Sequence, residues 1–169
     1  MPVVSKSPKS PTIYQLKISL EGARPLNWRR VLVPAGIRLD ALHTVIQISM
    51  GWDDSNPHWF AMNGNHWSVP DPAGDRFSKE LDERKFRLHE LLARVGESLR
   101  YVYEDGDDLR HKVVLEKISP ETGGLRRPSC LAGSNPAPPD EDDGDGYRIT
   151  VAGVDAALAE EKWPVNSMR

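Results

Sequence analysis

The chain has 169 residues, of which 38% are hydrophobic and 28% charged, with 22 Lys and Arg against 25 Asp and Glu for a net charge of -3. That length supports one hydrophobic core and is short for two. It holds no apolar run long enough for a membrane-spanning helix, and its opening residues lack the apolar centre of a secretory signal, so the expectation is a cytoplasmic, soluble protein. The single cysteine, Cys130, excludes an internal disulfide and a CxxC metal knuckle. Charge is unevenly spread: residues 1–38 carry seven Lys and Arg against Glu21, whereas the chain from Asp140 onward is acidic.

In chain order, Tyr14, Leu16, Ile18 and Leu20 alternate with polar residues and predict a half-buried strand over 13–20. Turn formers at 21–25 precede a second strand from Trp28 to Val33, ended by Pro34, which gives an antiparallel hairpin. Leu39, Leu42, Val45, Ile46 and Met50 then fall on one helical stripe, with Gly51 at the position of a C-terminal cap. Residues 58–62 and 66–69 flank the turn-forming Asn63-Gly64-Asn65 and predict a second hairpin. Leu88, Leu91, Leu92 and Val95 predict a second helix over 86–95, ended by Gly96. Residues 99–104 and 109–118 read as strands around Asp105-Gly106, a dipeptide suited to the positive φ of a tight turn.

From Ser119 to Tyr147 the composition turns to Pro, Gly, Asp and Ser without periodicity, which predicts a long loop. Residues 151–162 keep the spacing of a short helix. The resulting expectation is a single α+β domain over 12–163, built of antiparallel β-hairpins packed against two principal helices. Tails at 1–11 and 164–169 flank it, and the acidic, Pro- and Gly-rich loop lies at 119–147.

Several segments resemble the Ri-plasmid open-reading-frame-three-like family: Tyr14 to Leu20, Trp28 to Pro34, Leu42-His43-x-Val45-Ile46-Gln47, Met50-Gly51-Trp52, His58, Gly106-Asp107-Asp108-x-Arg110-His111 and Cys130-Leu131-Ala132-Gly133. They occur in order across residues 12–148. The resemblance implies an α+β fold and an association with plasmids and mobile elements, some members being labelled resolvase-like passenger proteins. Relatives often carry further cysteines after the Cys-Leu-x-Gly segment; here that stretch holds none, so the thiolates of a structural zinc site are missing. The serines of the N-terminal tail and the strand-rich pattern offer neither an activated recombinase serine nor a recognition helix.

The run Tyr101 to His111 gathers Asp105, Asp107, Asp108, Arg110 and His111 around one turn, and an aromatic and polar group at Trp52, Asp54, His58 and Trp59 follows the first helix. Together these nine residues form the expected binding surface of a non-enzymatic accessory or adaptor protein, whose partner is protein rather than DNA. No phosphate loop, nucleophile elbow or HExxH helix occurs, and no catalytic residue, metal or cofactor is assigned. Two rivals remain. One is a metal-dependent nucleic-acid-processing enzyme using His58, Asp107, Asp108 and His111. The other is sequence-independent DNA binding through Lys17, Arg24, Arg29, Arg30 and Arg38.

Overall fold

The computed structural model describes residues 12–73, 79–120, 127–134 and 150–168. The acidic run at 140–146 and the N-terminal tail lie outside the described residues. Eight strands form one sheet: β1 (Thr12–Leu20), β2 (Trp28–Pro34), β3 (His58–Met62), β4 (Asn65–Ser68), β5 (Leu81–Asp82), β6 (Ser98–Asp105), β7 (Asp107–Pro120) and β8 (Ser129–Ser134). Their spatial order is β5-β4-β3-β6-β7-β1-β2-β8. Every pairing is antiparallel except β4 with β5, so the sheet is mixed.

Alternation explains the layering. Tyr14, Leu16, Ile18 and Leu20 of β1 point to one face with Val31 and Val33 of β2, Leu99, Tyr101 and Tyr103 of β6, and Val113 and Leu115 of β7. Against that face lies α1 (Leu39–Met50), whose Leu39, Leu42, Val45, Ile46 and Met50 are fully buried. A second long helix, α3 (Val151–Glu160), adds Val154 and Leu158 to the same core, and the Thr150 hydroxyl accepts from Gly153 N at its N-terminus. Residues beyond α3 reach the core as well: Arg38 N donates to the carbonyl of the buried Ser167.

The expectation of hairpins packed against two principal helices is corrected by this arrangement. The sheet dominates, and the second expected helix, 86–95, is a single turn, α2 (Leu88–Leu91). Its backbone is claimed by tertiary partners. Leu88 N and His89 N donate to the carbonyls of Ile37 and Ala35, and the Tyr14 hydroxyl donates to Leu92 O at 2.7 Å. Leu92 is extended, and Gly96 N and Glu97 O pair with Leu115 of β7, so the apolar stripe ends in sheet-like backbone and Val95 is exposed. β8 is the other departure, because it lies within the segment expected as a loop. It pairs with β2 from Trp28↔Ser134 to Leu32↔Ser129.

Candidate functional site

Polar side chains interrupt the apolar face of α1. His43 and Gln47, four residues apart and therefore stacked along one face of the helix, are both buried. Both reach the hydroxyl of Tyr101, which projects from the middle of β6. The loop after α1 returns to them. Gly51, at φ 79°, caps the helix, Trp52 N bonds Gln47 O, and Asp54 adopts the left-handed conformation at φ 55°. This brings Asp54 alongside the two α1 side chains.

Four hydrogen bonds close a ring whose directions are fixed by its one backbone donor. Asp54 N donates to Gln47 Oε1 at 2.8 Å, so the amide nitrogen of Gln47 faces Tyr101 and donates to its oxygen at 2.8 Å. Tyr101 then gives its only proton to His43 Nδ1 at 2.7 Å. His43 accordingly carries its proton on Nε2 and donates it to Asp54 Oδ1 at 2.8 Å. Burial, reinforced by the nearby His58, pushes the His43 pKa down to about 4, and it pushes the Tyr101 hydroxyl upward. At neutral pH His43 is thus an uncharged donor in a fixed tautomer.

A second imidazole lies flat against the first. His58, at the start of β3, stacks on His43 with ring centres 3.5 Å apart and planes within 10°. Its Nε2 donates to Glu83, at 2.8 Å to Oε2 and 3.0 Å to Oε1. Glu83 opens a 3-10 turn (Glu83–Lys85) directly after β5, and its side chain is only 2% exposed. With Nε2 engaged, Nδ1 is the remaining ring nitrogen, and it takes no hydrogen bond among the described residues. The cleft, about 580 Å³, is lined by Asp40, His43, Asp54, Asn56, Pro57, His58, Trp59, Ser68, Val69, Glu80, Glu83 and Glu104.

His43, Asp54 and His58 offer ligand atoms within 4.8 Å of one another, a donor set with the chemistry of a divalent transition-metal site. The ring geometry does not fit one shared ion. An imidazole binds metal through a lone pair in its own plane, about 2 Å from the nitrogen. Two parallel rings stacked face to face at 3.5 Å have no such point in common. His43 Nε2 and Asp54 are spaced for a shared proton.

The residues expected from the sequence divide. Asp54, His58 and Trp59 line the cleft. Trp52 stacks near Tyr103 and donates through Nε1 to His111 Nε2 at 3.1 Å. His111 is fully buried, its Nδ1 donates to Tyr101 O at 3.2 Å, and burial pushes its pKa down to about 4. Both of its ring nitrogens are therefore engaged, and β6 separates its strand from that of His58. Asp105, Asp107, Asp108 and Arg110 lie exposed where β6 turns into β7 around Gly106, at φ 71°. Only Asp105 reaches toward the loop, accepting from Asn56 at 3.3 Å.

The basic residues do not share a patch either. Lys17 and Arg30 approach the Trp28 ring at 5.1 and 5.0 Å on the sheet face away from α1, and Arg30 is paired with Glu116 at 2.7 Å. Arg24 is exposed in the turn before β2. Arg29 is buried against β8, and Arg38 forks onto Asp40 beside α1. Sequence reasoning passed over His43, Gln47, Tyr101 and Glu83. The available signal was a pair of polar residues at i and i+4 inside the apolar stripe of α1.

The model of the plasmid pRiA4b ORF-3-like proteins matches residues 12–162, nearly the whole chain. The chain belongs to that family. This ORF-3-like protein is 33% identical over 140 residues to the uncharacterised protein y4hQ of Sinorhizobium fredii, a match spanning 81% of this chain and 70% of that one. It is also similar to the crystal structure of a protein of unknown function, MM3350, from Methanosarcina mazei Go1. That match has a TM-score of 0.68 and 30% identity, and it covers 89% of this chain and 81% of the other. The family relationship establishes the fold and leaves the reading of the cleft to its chemistry.

Proposed function

We propose that this ORF-3-like protein is an enzyme that works by proton transfer on a small molecule held in the His43/His58 cleft. The observation carrying this reading is the Glu83–His58 pair: a buried carboxylate fixes Nε2–H of an imidazole that lines the cleft and whose Nδ1 takes no hydrogen bond among the described residues. That arrangement has the logic of a carboxylate–histidine base. Neutral His58 accepts a proton at Nδ1 from an attacking water, Glu83 carries the countercharge of the imidazolium, and the same proton then passes to the leaving group. Water is consumed and the imidazole returns to its starting state.

His43 supports this division of labour. Held neutral by burial and locked as an Nε2–H donor by Tyr101 and Gln47, it supplies an uncharged surface for His58 to stack on and donates to Asp54. An adaptor surface has no need of such an arrangement, because burying five hydrogen-bonded polar groups beside a core is costly without a chemical use.

The test incubates the protein with a small-molecule extract of its own cells and follows the extract by mass spectrometry. The wild-type chain is expected to deplete at least one compound, whereas His58→Asn leaves it untouched and Glu83→Gln slows its loss by about 10²–10⁴-fold. A wild-type sample indistinguishable from His58→Asn would sink the reading.

A further inference from the structure

We infer that the sheet face turned away from α1 is a binding surface for single-stranded nucleic acid, separate from the cleft. By strand alternation that face carries Lys17 on β1, Trp28 and Arg30 on β2, Arg100 on β6 and Lys112 on β7. Both α1 and α3 pack on the other face. Register sets the cations in two directly opposed pairs: Lys17 faces Arg30 across β1 and β2, and Arg100 faces Lys112 across β6 and β7. Ser19 links them, lying opposite Lys112 on one side and Trp28 on the other. The four strands are adjacent, so the row spans about 14 Å at the usual strand spacing.

Like charges directly opposite each other in a ladder repel, so two such pairs on one face gain from an anion laid across them. Carboxylates of the chain answer one member of each pair: Glu116 takes Arg30 at 2.7 Å and Glu21 takes Arg100 at 3.2 Å. Lys17 and Lys112 make no ion pair among the described residues. Glu104 and Asp108 share the face as well, but they oppose each other at the turn end of β6 and β7, away from β2. Trp28 decides the class of anion. Its half-buried indole has Lys17 Nζ at 5.1 Å and Arg30 Cζ at 5.0 Å from the ring centre. A planar aromatic beside cations is the combination that holds single strands without reading their sequence, phosphates on the cations and a base on the ring. An acidic peptide would leave the indole without a planar partner.

Fluorescence anisotropy of labelled oligo(dT) and oligo(rU) with the full chain tests this, with poly-glutamate and phosphatidylserine vesicles as rival polyanions. The oligonucleotides are expected to bind, and to lose affinity about 10-fold or more as salt rises from about 50 to 200 mM. Lys17→Gln combined with Lys112→Gln is expected to weaken binding about 5-fold or more, and Trp28→Leu by a similar factor. The lysine double variant removes one like charge from each opposed pair, so its urea midpoint stays at or above the wild-type value, which a structural role for the lysines would lower. His58→Asn is expected to bind as the wild type does, so this inference and the proton-transfer reading stand or fall separately. No oligonucleotide binding at about 100 µM in low salt, full affinity in the lysine double variant, or equal affinity for poly-glutamate or the vesicles would each overturn it.

Discussion

Tyr101 holds together more of the site than any other side chain. Its hydroxyl accepts from Gln47 and donates to His43, and both partners are buried. Tyr101→Phe keeps the ring in the core but leaves an amide nitrogen and an imidazole nitrogen without a partner, at a cost of about 1–3 kcal/mol. It also removes the donor that fixes the His43 proton on Nε2. The expected result is a lower urea midpoint at pH 7, together with an imidazole nitrogen NMR spectrum of His43 that shows both tautomers instead of one.

The same burial makes stability depend on pH. His43 and His111 each have a folded pKa of about 4 against a usual value near 6.5. Between those values the unfolded chain binds more protons than the folded one, so stability is complete above about pH 6.5 and is lost as pH falls toward 4. The linked loss reaches a few kcal/mol for the two groups together. Denaturation at pH 7 and pH 4.5 measures it. His111→Gln offers an acceptor to Trp52 and a donor to Tyr101 O without the titration, and is expected to remove about half of the difference.

At the scale of elements, the edge strand β8 depends on a close approach. A Cβ placed on Gly133 would lie 2.7 Å from Cδ of the buried Arg29 and 3.0 Å from Trp28 O. Arg29 Nη1 in turn donates to Asn27 Oδ1, Trp28 O and Ser134 O, tying β8 to β2. Gly133→Ala must therefore displace either the guanidinium or the strand, and is expected to cost about 1–3 kcal/mol. Hydrogen exchange gives the location: amides of β8 should lose protection before those of β1 and β7.

This strand also shows where sequence reasoning stops. β1, β2, β6 and β7 were legible because one of their faces is buried and the other is wet, which writes alternation into the chain. β8, with Ser129-Cys130-Leu131-Ala132-Gly133-Ser134, is short and lies at an edge, and its one buried apolar side chain, Cys130, carries no period. The shortened α2 failed for a different reason, since tertiary partners claim its backbone: Ile37 and Ala35 at its start, the Tyr14 hydroxyl at Leu92, and Leu115 at Gly96 and Glu97. In the site, Asp54 and His58 stood out as polar residues in a loop and at a strand end. His43, Gln47, Tyr101 and Glu83 did not, because what brings them together is the packing of α1, β6 and the turn after β5.

Across the whole molecule, a core of Leu, Ile and Val between sheet and helices carries a polar seam at one end, where β3 and the turn after β5 close against α1. Such a seam weakens a fold, and the proposed activity gives it a use. The Glu83–His58 pair tests that connection directly. Glu83→Leu alone leaves the buried Nε2–H of His58 without an acceptor, and His58→Phe alone strands a carboxylate whose side chain is 2% exposed. Each single change is expected to cost about 2–4 kcal/mol. Combined, they replace a buried polar pair by apolar groups of similar volume, and the double variant is expected to return to wild-type stability or exceed it by about 1–2 kcal/mol. A double-mutant cycle from urea denaturation measures the coupling. If the pair exists for stability, the double variant stays as weak as the sum of its parts. If it exists for chemistry, the fold recovers fully while turnover of the compound depleted by the wild-type chain does not.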